Sequence, residues 1–149
     1  MKVNITSNNF DLSENLIDKL NIIFLAILES EGLQEGNINL SFISSDKMKG
    51  LNKKFRSINK DTNVLSFENQ DISRSHTKDL GDVAISYQYV VEEAISKKIK
   101  LNDHIAHMFI HGVFHILGYD HENNQDAEKM ELKEIEFLSK LNIINPYNI

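Results

Sequence analysis

Residues His104 to Leu117 read HIAHMFIHGVFHIL, and Ile105, Met108, Phe109, Val113, Phe114, Ile116 and Leu117 recur at helical spacing. A helix so apolar must be central and buried, with the rest of the chain packed around it. His111 and His115 are four residues apart, one turn above each other on one helical face. Gly118 stands where the helix can end in a left-handed residue, after which the chain can turn back and present His121. The pattern H-x-x-x-H-x-x-G-x-x-H offers three neutral nitrogens and leaves a fourth position open, the ligand count of a catalytic zinc site. Five of the six histidines lie between His104 and His121. His107 and His111 form an alternative pair on nearly the same face. The turn after Gly118 favours His111, His115 and His121 as the ligands of one zinc ion, with His107 and His104 in supporting or structural roles. Asp120 either orients an imidazole or a water, or serves only the turn.

The chain has 149 residues, enough for one domain spanning 1–149 with a sizeable core. Its 41% hydrophobic content suits a globular protein. No apolar run reaches the roughly eighteen residues of a membrane span. The N-terminus lacks the basic start and apolar stretch of a secretion signal. There is no cysteine, hence no disulfide framework and no thiolate ligand or nucleophile. The expected location is the cytoplasm. A formal charge of −6 argues against a generally basic nucleic-acid coat.

One segment departs from that acidic average. Lys47, Lys49, Lys53, Lys54, Arg56 and Lys60 follow one another with no acid among them. The lysines read either as a solvated helix face or as a surface that attracts phosphate. Arg56 falls where its helix should end, and a guanidinium forks onto phosphate oxygens with fixed geometry.

Around these features, periodicity predicts strands at Lys2 to Thr6, Asn37 to Ile43, Asn63 to Phe67 and Leu80 to Ser86. A helix capped by Ser13 should run to Gly32. A second opens at Ser45-Asp46 with Met48, Leu51 and Phe55 as its apolar face. A third spans Tyr87 to Lys98, with Ser86 as cap and Val90, Val91, Ala94 and Ile95 inward. Asn102 or Asp103 should cap the histidine helix. The last helix, from Asn123, should bury Ala127, Met130, Ile135, Leu138 and Leu141 and expose its many acids, with Pro146 ending the ordered chain. His76 sits in a polar loop. The order β-α-β-α-β-β-α-α-α predicts an α+β domain. Its four-stranded mixed sheet carries about five helices and at least one parallel pair, with the metal site on the central helix and the turn after it.

The spacing also matches the zinc-peptidase pattern H-E-x-x-H-x-x-G-x-x-H, except that Gly112 stands where those enzymes carry the general-base Glu. Without that carboxylate, peptide hydrolysis lacks its proton carrier, whereas phosphodiester cleavage depends more on stabilising phosphoryl charge.

The stretch His111-Gly112-Val113-Phe114-His115-Ile116-Leu117-Gly118-Tyr119-Asp120-His121 resembles the signature H-G-x-x-H-L-x-G-Y-D-H of the YbeY family of metal-dependent endoribonucleases. Leu51 to Arg56 is similar to its L-N-x-x-Y-R, Asn63 to Phe67 to its T-D-V-L-S-F, Leu80 to Ser86 to its L-G-D-I-x-I-S, and Ala127 to Glu131 to its E-A-x-x-M-E. The resemblance implies zinc on His111, His115 and His121, with Arg56 as the catalytic or RNA-phosphate arginine. It also implies single-strand-specific cleavage in small-subunit ribosomal RNA maturation and ribosome quality control. The expected partners are single-stranded or ribosomal RNA and small-subunit ribosomal proteins, with no DNA and no membrane. Asn63 departs from the family's Asp, Ser57 from its Gly after the arginine, and Asp61 and Glu68 from prolines flanking the strand. An RNA- or ribosome-binding assembly factor with a structural zinc is the second reading, and a zinc peptidase the third.

Overall fold

The structure is a computed structural model that describes residues 2–7, 9–69 and 78–148. His76 and most of the polar loop around it lie outside the described residues. The elements run β1 (Lys2–Thr6), α1 (Glu14–Ser30), β2 (Asn37–Ile43), α2 (Ser45–Arg56), β3 (Val64–Glu68) and β4 (Asp79–Ser86), then α3 (Tyr87–Lys97), α4 (Leu101–Ile116) and α5 (Asn124–Lys140). A short 3-10 turn, Pro146–Asn148, follows. This is the expected α+β domain, a four-stranded mixed sheet with five helices among the described residues.

The sheet order is β1-β2-β4-β3, with β1–β2 and β2–β4 parallel and β3–β4 antiparallel. Side chains alternate between its faces. Val83 and Ile85 join the large core with residues of α1, α4 and α5. Ala84 between them joins Ile43, Met48 and Leu65 in a small cluster on the other face, under α2. The sheet is thus a layer between α2 and the three long helices. Helix α4 is the centre of the larger side: eleven of its residues, from His104 to Ile116, are buried.

Local chemistry sets the ends of the helices. Ser13 Oγ accepts the Leu16 N–H at 3.2 Å and starts α1. Asn123 caps α5, its Oδ1 accepting the Asp126 N–H while its Nδ2 donates to the Asp126 carboxylate, both at 2.8 Å. Helix α4 begins earlier than its sequence suggests. Its N-cap is Lys100, which supplies no side-chain bond, so neither Asn102 nor Asp103 caps it.

Three faces also differ from their periodicity. On α2 the inner positions are Met48 and Asn52, while Phe55 is 49% exposed. Asn52 is buried because its Nδ2 donates to the Lys60 carbonyl at 2.9 Å and pins the loop after the helix. On α3, Val90 and Ala94 are buried but Ile95 lies outside, 73% exposed. On α5, Met130 and Leu138 are buried as expected, joined by Phe137 and by Glu134, so the acids are not all on the surface. Nor does order stop at Pro146, because the turn it opens carries Tyr147 back to Glu134.

Ser57, directly after Arg56, has φ 60° and ψ 26°, the left-handed conformation of a helix C-cap. A Cβ is unfavourable there by roughly 1–2 kcal/mol, a strain that glycine avoids. We expect Ser57→Gly to raise the unfolding free energy by about 0.5–1 kcal/mol once glycine's extra chain entropy is counted. Urea denaturation at equilibrium reads this directly, and an unchanged midpoint would show that the turn is unstrained.

Candidate metal centre

Helix α4 places His111 and His115 one turn apart, and the chain after it returns by a defined motif. Leu117 is the C-cap, and Gly118 has φ 103°. The Gly118 N–H donates to the His115 carbonyl at 3.1 Å and the Tyr119 N–H to the Phe114 carbonyl at 3.0 Å. These are the two bonds of a Schellman cap. Its hydrophobic contact is present too, the Phe114 and Tyr119 rings lying edge to face at 5.2 Å. Burial, together with the carboxylate of Glu31 at the end of α1, pushes the Tyr119 hydroxyl up to about 12.

The turn brings His121 against the other two rings. Its ring centre lies 5.5 Å from that of His111 and 5.8 Å from that of His115. Imidazoles sharing one tetrahedral zinc, with Zn–N near 2.0–2.1 Å, would have centres about 5 Å apart. Among the described residues, no group of three or more His, Asp or Glu side chains stands ready to hold a metal ion. The donor set nevertheless suits zinc in kind, and two of its rings are already oriented. His111 donates through Nδ1 to Glu134 Oε2 at 3.1 Å, and His115 through Nδ1 to the Tyr119 carbonyl at 3.1 Å. Both acceptors lack a proton, so each ring carries a hydrogen on Nδ1, which leaves Nε2 as the nitrogen that can face a metal.

Glu134 is the residue that sequence reasoning missed. It is 1% exposed, on a helix otherwise rich in surface acids. Its Oε1 accepts from His107 Nε2 and from the Tyr147 hydroxyl, each at 2.7 Å. Its Oε2 takes the His111 proton. Burial works to raise its pKa, but the hydrogen bonds from His107 and His111, the proximity of His111 and the Tyr147 bond outweigh it, holding the carboxyl down at about 2. His107 therefore touches the site through Glu134. The available signal was positional: counting four residues on from buried Met130 reaches Glu134 on the same face.

The other expected residues are placed as follows. Asp120 Oδ1 accepts the His121 backbone N–H at 2.7 Å, so its bond fixes the turn rather than an imidazole. Arg56 reaches the edge strand, its Nη2 donating to the Ser66 carbonyl at 3.3 Å. Two residues back along that strand, Val64, with Thr62 and Asn63, lines a cavity of about 570 Å³ together with His111, His121 and Glu134. Strand β3 thus ties the arginine to the histidine cavity. Lys47, Lys49, Lys53, Lys54 and Lys60 are all exposed, and none forms an ion pair among the described residues.

Gly112 lies where α4 meets the sheet. A Cβ built there would come 3.0 and 3.1 Å from the two Val83 methyls. The position that bears the base in zinc peptidases is therefore pressed against β4.

His104 belongs to a separate network. Its Nε2 donates to Glu93 Oε1 at 3.0 Å, and Asn63 Nδ2 donates to the same oxygen at 3.2 Å. Burial lowers the His104 pKa more than the Glu93 carboxylate raises it.

Removing the Glu134 carboxylate leaves three donors without their acceptor, the buried His107 among them. We expect Glu134→Ala to cost on the order of 2–3 kcal/mol of stability, against less than about 0.5 kcal/mol for Glu128→Ala on the exposed face. Denaturant melts of the two variants give the comparison, and equal midpoints would mean that the carboxylate holds nothing together.

Comparison with known proteins follows the same lines. The family model described as Endoribonuclease YbeY matches residues 2–142. An Endoribonuclease YbeY of Francisella tularensis subsp. novicida (strain U112) is 40% identical over 128 residues, covering 81% of this chain and 77% of that protein. Another, from Francisella tularensis subsp. tularensis (strain FSC 198), is 42% identical over 122 residues, covering 77% of this chain and 71% of that one. Among solved structures, the solution structure of TM1509 from Thermotoga maritima shares the fold, with a TM-score of 0.62 and 23% identity over 94% of this chain and 91% of that one. A family signature matched from the first strand to the end of the last helix, on a fold that sets His121 beside both His111 and His115, means that the chain belongs to the YbeY endoribonuclease family.

Proposed function

We propose that this protein is a zinc-dependent endoribonuclease that cuts single-stranded RNA and acts on ribosomal RNA of the small subunit. The observation that carries the reading is the tethering of two Nδ1–H groups, on His111 and His115, with the His121 ring beside both and with His111 and His121 lining an open cavity. His111, His115 and His121 would hold one zinc ion. Bound there, it supplies Lewis acidity toward water and toward a phosphoryl oxygen.

The protein's own groups do the remaining work. Glu134 and the Tyr119 carbonyl keep the two imidazoles in one tautomer and one orientation, so little reorganisation is needed when a charged substrate arrives. Arg56 has one nitrogen on the Ser66 carbonyl and is exposed, which leaves the rest of its guanidinium to grip a phosphate bridging toward the cavity. The exposed lysines of α2 and Lys60 draw in the RNA backbone. Gly112, packed on Val83, offers no general base of the peptidase kind. Family membership supports the nuclease chemistry. Ribosomal proteins of the small subunit are the partners this role would require.

The deciding experiment follows cleavage of an end-labelled single-stranded RNA by wild type, Arg56→Ala and His115→Ala, with and without chelator. Wild type should cut, and chelation should abolish cutting. His115→Ala should lose bound zinc, measured by elemental analysis, along with activity. Arg56→Ala should keep zinc and fold but cut about 10²–10³-fold more slowly. Zinc retained by His115→Ala would remove His115 from the ligands. RNA binding without metal-dependent cutting would instead favour an assembly factor with a structural zinc.

A further inference from the structure

The small side of the sheet carries an aromatic that the core does not need. Met48 and Asn52 fill the inner positions of α2, yet Phe55, one turn on, is 49% exposed. Its ring meets Phe67 of the edge strand at 5.1 Å, with the planes inclined by 60°. Phe67 is half-buried against the cluster of Ile43, Met48, Leu65 and Ala84. Phe55 is therefore held along one edge and open to solvent on the rest of its surface.

Cations surround the pair. Lys54 Nζ lies 5.1 Å from the Phe55 ring centre, and the Arg56 guanidinium lies 5.7 Å from that of Phe67. Lys53 and Lys60 are exposed nearby in the chain, and no acid occurs from Lys47 to Lys60. Ile58, three residues on, is the one other large apolar side chain exposed between Lys47 and Lys60, whereas a protein-docking or membrane-binding face would bring several together. One anchored ring among cations matches the face of a single unpaired base whose flanking phosphates meet the lysines. The Lys54 ammonium sits on a flexible stem and can leave the ring for a phosphate. A duplex, whose bases are already stacked, presents no such face.

Building on the RNA reading above, we propose that Phe55 is a base-stacking platform, which holds one unpaired nucleotide of the RNA strand next to Arg56. Phe67 steadies the ring from below. Because every base has a π-face, the contact favours single strands over duplexes without selecting a sequence.

The chain contains no tryptophan, so Phe55→Trp introduces a single reporter at the site. Its emission should be quenched saturably by a ten-nucleotide single-stranded RNA. A blunt duplex and an abasic oligonucleotide of equal charge should leave it unchanged. Phe55→Leu, which keeps apolar contact with Phe67 but has no ring, should bind the same RNA about five- to hundredfold more weakly by fluorescence anisotropy. That ratio should stay constant as salt rises, whereas wild-type and variant affinities should both fall. Unaltered circular dichroism in both variants would show that the fold is kept. If Phe55→Leu binds as tightly as wild type and the indole of Phe55→Trp does not respond, the platform is disproved while RNA binding stands. If wild type binds no single-stranded RNA at low salt, the RNA reading fails and takes the platform with it.

Discussion

A single carboxylate has to be ionised in the middle of this protein. Glu134 is almost fully buried, and its negative charge is tolerable only because three donors converge on it. Two come from α4, His107 and His111, and the third, the Tyr147 hydroxyl, comes from the last turn of the chain. The same bonds that make the charge tolerable fix the register of α5 against α4 and the hydrogen of His111 on Nδ1. Packing and site chemistry are thus satisfied by the same atoms. The second imidazole is oriented more simply, through the Tyr119 carbonyl that the Schellman cap swings into place.

That division explains how much of the molecule was legible in its sequence. The sheet, the five helices and the parallel crossover follow from periodicity, because half-buried strands and amphipathic helices must alternate their side chains. The turn that returns His121 could be read from Gly118 alone. Strand ends differed by only a residue. What periodicity could not show was any residue whose burial depends on a partner distant in the chain. Glu134 reads as one more surface acid until His107 and Tyr147 are placed beside it. Asn52 reads as polar surface until the Lys60 carbonyl arrives to bury it, while Phe55, one turn on, stays outside. Lys100 begins α4 without a side-chain cap, so no cap signal marks the start.

The departures from the family pattern also acquire physical content. Asn63 donates to Glu93, which in turn accepts from His104. An aspartate at that position would instead set a second carboxylate against Glu93 with no proton between them. The amide joins the start of β3 to α3 and α4, beside the cavity that Asn63 helps to line. Ser57 is a different kind of departure, since it keeps the left-handed turn after Arg56 and merely bears its strain. Neither residue hydrogen-bonds His111, His115 or His121, although Asn63 lines the cavity with two of them.

The close contact between Gly112 and Val83 has an evolutionary side. A glycine codon of the form GGA or GGG lies one nucleotide from glutamate, and that single change would write the complete peptidase motif into this helix. The packing of the helix on the sheet would resist it. Any side chain at 112 would set its first carbon against the valine methyls of β4, and the valine or the helix would have to give by a few tenths of an ångström to admit it. Two chemistries that look adjacent in sequence space are separated here by the distance between a helix and a strand.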